Sequence, residues 1–313
     1  MRYLLRRAAH LVAVLFAVSF ITFISMNLLG DPLKSILGPL YADKQVREEA
    51  RAELHLEGSV PERYVEWVAD AVQGDFGRSY NTRETVSAVI GERLPVSLML
   101  MVYAQVLALL IAVPVAVAAA YRADRAFDRM STAASFVFIS VPGFASAVIF
   151  LYAFAVRNDL FPARYLDDSF FDRLYSMFLP ALALALPLGA VYMRVLRNDM
   201  VNTLQEDFVM FARSKGISTF RILTRHALRP SSISLMTVVG IQIGALLAGA
   251  LVVETIFSIP GLGMQIVRSI LQNDYVVIQA VVLVLAVTYV VVNFFVDALH
   301  GVLDPRIRAA RAL

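Results

Sequence analysis

Residues 207–230 read DFVMFARSKGISTFRILTRHALRP, and a run without a single charge stands on each side of them, 174–193 before and 232–253 after. About 20 apolar residues carry a helix across the hydrocarbon of a bilayer, so the polar stretch reads as the connection between two membrane helices. It has helical structure of its own. Asn198 or Asp199 can cap a helix that runs through Ser214, Gly216 can take the left-handed position that ends it, and Ser218 can cap a second helix that Pro230 helps to terminate. On that second helix Arg221, Arg225 and Arg229 recur every four residues, while Phe220, Leu223 and Ala227 follow a spacing of three and four. One stripe is basic and the other apolar. Two readings stay open: a helix snorkelling at anionic lipid headgroups, or a helix set in a partner's groove with Phe220, Leu223 and Ala227 as anchors and the arginines as rim.

The composition agrees with a membrane protein crossed many times: 59% of the residues are hydrophobic and only 17% are charged. Six runs lack Asp, Glu, Lys, Arg and His, at 11–29, 94–121, 130–156, 174–193, 232–253 and 275–296. The fold expected is therefore all-α and polytopic, with six transmembrane helices. The run at 11–29 is too long for a signal peptide and ends without a small-residue cleavage site, so it reads as a retained helix. Arg2, Arg6 and Arg7, then Arg122, Arg125 and Arg129, then the basic residues from Arg194 to Arg229, then Arg306, Arg308 and Arg311 all fall on one side of this arrangement. That side is cytoplasmic by the positive-inside rule, which puts both termini inside. The expected organisation is 1–29 as N-terminal segment and first span, 30–93 as an extracytoplasmic helical subdomain, and 94–313 as a core carrying the connecting loop at 198–232.

Within 30–93, the stretches KQVREEARAELHL and VPERYVEWVADAV have helical periodicity, with Tyr64, Trp67, Val68 and Val72 on one face. They read as amphipathic helices over the outer mouth, either a solvated cap or a docking surface. GDFGRS, 74–79, is a glycine-punctuated turn, and Pro95 falls in the first turn of the second span.

The spans carry prolines, small residues and a few amides in place of charges. Ion-coupled carriers keep ionisable groups at membrane depth, and their absence here argues against such a carrier and against a voltage sensor. Pro114, Pro142 within VPGF, Pro180 and Pro187 can bend helices or free carbonyls. Gly240, Gly244, Ala245 and Gly249 form overlapping small-xxx-small pairs. For Gln105, Gln242, Thr288 and Asn293, interhelical hydrogen bonding and pathway lining both remain open. After the fifth span, ETIFSIPGLGMQIVRSIL places Glu254, the Pro260–Gly261 turn and Arg268 at the outer mouth, as an entrance contact or as a structural re-entrant turn.

Several functions are excluded by what is missing. The net charge of +3 is too small to mark a nucleic-acid binder. There is no cysteine, and His10, His55, His226 and His300 stand singly, so neither disulfides nor a metal site is expected. The only lysines are Lys34, Lys44 and Lys215 and no G-x-x-x-x-G-K-[ST] occurs, so the chain lacks the usual phosphate-cradling loop for ATP.

The stretch ARSKGISTFRILTRHALRP resembles the cytoplasmic loop of ABC-importer permeases, in the ARAKG…HALRN version of the dipeptide/oligopeptide/nickel family. The likeness extends through MRYLLRR, VPERYVEW, GDFGRS, ERLPVSLML, FLPALALALP, VVETIFSIPGLGMQIVRSILQNDYVVIQ and LDPRIR, in order, over nearly the whole chain. It is to the B-type subunit of a type I importer. Ala212 and Gly216 match the small residues of that loop, and 218–229 matches the coupling helix that rests in a cleft of an ATPase. Met210 and Phe211 stand where the general pattern has Glu and Ala, and Arg229 where it has Pro, a departure that the peptide-type members share.

The resemblance implies a translocation subunit in the bacterial cytoplasmic membrane, not an enzyme. Its partners would be membrane lipids, a second similar permease, two ATPase subunits (or one fused pair) and an extracytoplasmic binding protein. ATP and Mg would be bound by those ATPases, and no cofactor by this chain. Short peptides are the implied substrate, with nickel chelates, opines or glutathione as alternatives. A stand-alone channel or secondary carrier is the competing class.

Overall fold

The computed structural model describes residues 2–29, 33, 41–53 and 59–303, and among these it is helical, with one isolated bridge between Arg78 and Thr85. The helices are α1 (Arg2–Leu29), α2 (Lys44–Glu53), α3 (Val60–Val72), α4 (Val86–Tyr121), α5 (Ala126–Ser140), α6 (Gly143–Val156), α7 (Phe170–Thr203), α8 (Asp207–Ser214), α9 (Thr219–Ile256), α10 (Leu262–Leu271) and α11 (Tyr275–Leu303). By length and composition α4, α7, α9 and the 275–295 part of α11 can each cross a membrane. In α1, which has 28 residues, the described apolar stretch is Val12–Ser25. The tail arginines Arg306, Arg308 and Arg311 lie outside the described residues.

The third expected span is corrected. α5 and α6 meet at a bend of 96°, so 130–156 is a broken crossing or a re-entrant pair and not one straight helix. Val141 takes φ −89° and ψ 118°, the extended conformation forced on a residue that precedes proline, and Pro142 has no N–H to continue the ladder. Pro95 also moves: α4 starts at Val86, so the proline lies inside the helix rather than in its first turn.

By contacts the chain falls into two compact units, 1–97 with 260–290, and 98–259 with 291–313. The first is built on two clusters. Tyr64 of α3 is buried among Phe16, Phe20 and Phe23 of α1, with ring centroids 6.0, 5.3 and 5.4 Å away, and its hydroxyl shares a 2.8 Å hydrogen bond with Ser19. Aromatic edge-to-face contacts and a satisfied hydroxyl are what lets tyrosine bury there. Val72, expected on the same face, is exposed instead. The second cluster joins Val86 and Ile90 of α4 with Leu262 of α10 and Val277, Ala280 and Val281 of α11.

The second unit is organised around α7, which packs against α5, α6 and α9. Ala181, Ala183, Ala185, Ala190, Tyr192 and Leu196 are among its buried residues, giving α7 the apolar circumference of a core helix. Pro180 and Pro187 sit inside it without breaking it. α4 brings a stripe of fully buried alanines, Ala104, Ala108, Ala112 and Ala116. At Gly189 an added Cβ would meet the Ala108 carbonyl oxygen at 3.2 Å, so the backbones approach more closely than a larger residue fits without a shift.

Candidate functional site

The connecting loop is a folded object. Asn198 and Asp199, expected to cap the first helix of the loop, lie instead inside α7, which runs on to Thr203. Within its last two turns Arg197 pairs with Asp128 of α5. α8 then begins after Glu206, which holds the extended cap position. Val209 and Ala212 of α8 turn inward against Ile222 of α9, with Leu204 and Ile217 beside them.

Gly216 ends α8 as the sequence suggested, with φ +74°. Its N–H donates to the Arg213 carbonyl at 2.9 Å, and the Ile217 N–H donates to the Ala212 carbonyl at 3.2 Å. These are the two bonds of a Schellman motif, and the Ile217–Ala212 apolar contact completes it. Ser218 occupies the cap position of α9 through its backbone conformation, and no side-chain cap bond is formed.

Pro230 does not terminate the second helix. α9 widens into a π turn over Ile222–Ala227 and continues as Leu228–Ile256, so the loop runs straight into the next membrane helix. A π turn rearranges the hydrogen-bond ladder where a proline removes a donor, which lets the helix carry on. Thr203 and Ser231 join the two ends of the loop at 3.1 Å between their hydroxyls.

The apolar anchors divide. Phe220 is 77% exposed, whereas Leu223 and Ala227 are turned into the protein at 9% and 0%. The expectation that Leu223 and Ala227 face a partner is therefore corrected: they face inward, where burial already satisfies them. Their place outside is taken by residues of α8 that periodicity did not single out as anchors, Phe208, Met210 and Phe211, all exposed. The Lys215 ammonium stands 4.4 Å from the Phe211 ring centroid. Arg221, Arg225 and Arg229 are exposed beside them. A loop pinned by its own apolar cluster thus presents four large apolar side chains with a basic border.

The other candidate residues lie elsewhere. Gln105 accepts a 3.1 Å hydrogen bond from the Tyr192 hydroxyl, and its amide nitrogen is buried without a partner. Pro142 forms the bend described above. Gln242, Gly244 and Asn293 are half-buried on α9 and α11. Glu254 is buried near the end of α9, its carbonyl accepting from the Ile259 N–H at 2.8 Å. In the first unit Gly261 caps α10, Pro260 precedes it and Arg268 is exposed in the last turn. The Leu262 N–H at the head of α10 donates to the Ser97 hydroxyl at 2.8 Å, a cap no sequence signal indicated. Among the described residues no three His, Asp or Glu side chains converge as metal ligands would.

Helices long and apolar enough to cross a membrane, with a folded polar loop between two of them, define a multi-pass membrane protein. The chain belongs to the binding-protein-dependent transport system inner membrane component family, matched over residues 112–309, with the N-terminal region of such components matched over 1–101. Among its relatives are a probable peptide ABC transporter permease protein of Sinorhizobium fredii, 33% identical over 310 residues, and the glutathione transport system permease protein of Escherichia coli K12, 34% identical over 309. Each alignment spans 98% of this chain and 99% of the relative. The chain is thus a multi-pass permease component of the inner membrane, not itself an enzyme.

Proposed function

We propose that this chain forms half of the translocation pathway of an ATP-driven importer for short peptides, and that residues 204–227 are the surface on which an ATPase subunit docks. The observation that carries the docking is the exposed set Phe208, Met210, Phe211 and Phe220 on a loop held rigid by Val209, Ala212 and Ile222. A surface of this kind, apolar with a basic border, fits a groove in a protein better than open water. The peptide substrate rests on the relatives, one assigned to peptides and one to glutathione, itself a short peptide.

In this reading the chain crosses the membrane six times, the broken α5–α6 pair counting as one crossing, with termini and loop on the cytoplasmic side, where its arginines concentrate. A second, similar permease completes the pathway, an extracytoplasmic binding protein delivers the peptide, and two ATPase subunits bind ATP and Mg. Closing of the ATPases around ATP moves the loop, and the loop moves α7 and α9, into which it is continuous at both ends. Each nucleotide state must then contact the loop differently, since only a differential interaction shifts an equilibrium.

The test is transport by the purified complex in proteoliposomes loaded with ATP. Uptake of di- and tripeptides that requires ATP and the binding protein supports the proposal. Uptake by the lone chain without either would make it a channel or carrier, and uptake only of nickel chelates or opines would replace the substrate.

A further inference from the structure

Two motifs far apart in sequence, GDFGRS with the residues after it and QNDY between α10 and α11, are brought together in the first unit. Asp274 is 2% exposed, and its carboxylate accepts hydrogen bonds from the Ser79 hydroxyl at 2.5 Å, the Tyr80 N–H at 3.4 Å and the Asn81 amide at 3.4 Å. The Asn81 amide also reaches the Gln272 carbonyl at 3.2 Å. Asp274 stands just before α11, where an Asp side chain ordinarily caps the helix that follows. Here its oxygens are turned to the 79–81 turn instead.

That turn is over-determined. The Ser79 hydroxyl accepts from the Asn81 and Thr82 N–H groups at 3.2 and 3.0 Å, so one side chain both shapes the turn and holds Asp274. Gly77 has φ +78°, and a Cβ there would meet Val276 at 3.3 Å, which seats the turn closely on α11. On its N-terminal side the turn is the direct continuation of α3, through Asp75, whose carboxylate receives the Gly77 N–H at 2.9 Å, and Gly74, whose carbonyl receives the Ser87 hydroxyl at 2.6 Å.

We infer that Asp274 is a positioning residue for transport: with Ser79 it fastens the insertion ahead of α4 to the α10–α11 corner, so that the two remain one body through the transport cycle. Load placed on the insertion by a docked binding protein then passes to α10 and α11 rather than being lost in a free cap. This inference rests on the importer reading. A buried carboxylate with three donors serves such a fastening well, since leaving it unpaired is costly and the bonded state is strongly preferred.

The experiment uses the full complex in proteoliposomes, with the binding protein loaded with a mixture of di- and tripeptides. ATP hydrolysis is followed against binding-protein concentration, giving a half-saturating concentration and a plateau. Ser79→Ala, which removes one charge-assisted hydrogen bond to the carboxylate, is expected to raise the half-saturating concentration about tenfold, and Asp274→Ala, which removes all three, by at least as much, with the plateau kept in both and the double variant no worse than Asp274→Ala. Co-purification of all subunits checks assembly, and Asp274→Asn replaces the alanine variant where assembly fails. The chain has no cysteine, so Ser79→Cys with Asp274→Cys creates its only possible internal disulfide. Reduced, that pair is expected to behave as the alanine variants; oxidised, to recover the wild-type half-saturating concentration and full uptake. Arrest on oxidation, a lowered plateau at unchanged half-saturation, or alanine variants equal to wild type would each overturn the inference. Failure of the importer reading is told apart by the wild-type complex, whose ATP hydrolysis would then ignore the binding protein.

Discussion

Arg197 on α7 grips Asp128 at the start of α5 with two parallel bonds, Nε to Oδ1 at 2.9 Å and Nη2 to Oδ2 at 2.5 Å. Asp128 is 3% exposed and also receives the Asp124 N–H at 2.8 Å. This pairing fixes the last two turns of α7, the helix that delivers the connecting loop, to the neighbouring α5. A carboxylate stripped of its guanidinium keeps only the Asp124 N–H, so Arg197→Ala is expected to destabilise the protein by about 1–3 kcal/mol. Arg197→Ala with Asp128→Ala should be milder than Arg197→Ala alone. Thermal unfolding of the detergent-solubilised variants, read as a double-mutant cycle, checks both.

Two glycines facing different kinds of neighbour give a second expectation. A Cβ on Gly189 meets backbone, the Ala108 carbonyl oxygen at 3.2 Å, whereas a Cβ on Gly249 meets the end of a side chain, Leu184 Cδ2 at 3.0 Å. A leucine methyl can rotate away and a backbone carbonyl cannot. Gly189→Ala is therefore expected to cost about 1–3 kcal/mol and Gly249→Ala close to nothing, despite its shorter contact. Equal melting points for the two variants would refute the comparison.

At Gly216 the space is open and the backbone angle decides. Its φ of +74° cannot be reached by proline, which is held near −65°. Gly216→Pro should break the α8–α9 corner and abolish ATPase association while membrane insertion stays intact, and Gly216→Asn, which tolerates the left-handed region, should retain it. Pull-down of the ATPase from solubilised membranes checks this pair.

Burial lifts the Tyr80 hydroxyl to about 12, with Arg63 drawing it down and Asp274 adding a smaller upward push. Between about pH 10 and 12 the folded chain keeps a proton that the unfolded chain has lost, so stability falls as pH rises through that window. Tyr80→Phe removes this contribution. The pH dependence of its thermal midpoint should be flatter than wild type above about pH 10 and unchanged below.

Much of the architecture is legible in the sequence because it follows from local rules. Charge-free runs locate membrane helices, and Gly216 before Ile217 marks a helix end that the Schellman bonds then form. The misreadings have different causes: at Pro142 a local preference breaks the third span, whereas at other positions the local preference is overridden. Asn198 and Asp199 favour caps, but the helix continues past them to Thr203. Pro230 disfavours helix, but the π turn before it keeps α9 whole. Leu223 and Ala227 lie on the apolar stripe, yet they are buried by the protein itself, and of the stripe only Phe220 joins Phe208, Met210 and Phe211 of the preceding helix on the outward face. Pairings such as Ser79 with Asp274, 195 positions apart, leave no trace in a single sequence.

Cross-linking from the loop tests the central claim most directly. With a photoreactive phenylalanine analogue at position 220 in the assembled complex, the proposal predicts a covalent adduct with an ATPase subunit, altered in yield by ATP, and none from the inward position 223. Adducts from position 220 to lipid alone, whatever the nucleotide, would contradict it and return the basic helix to the membrane surface.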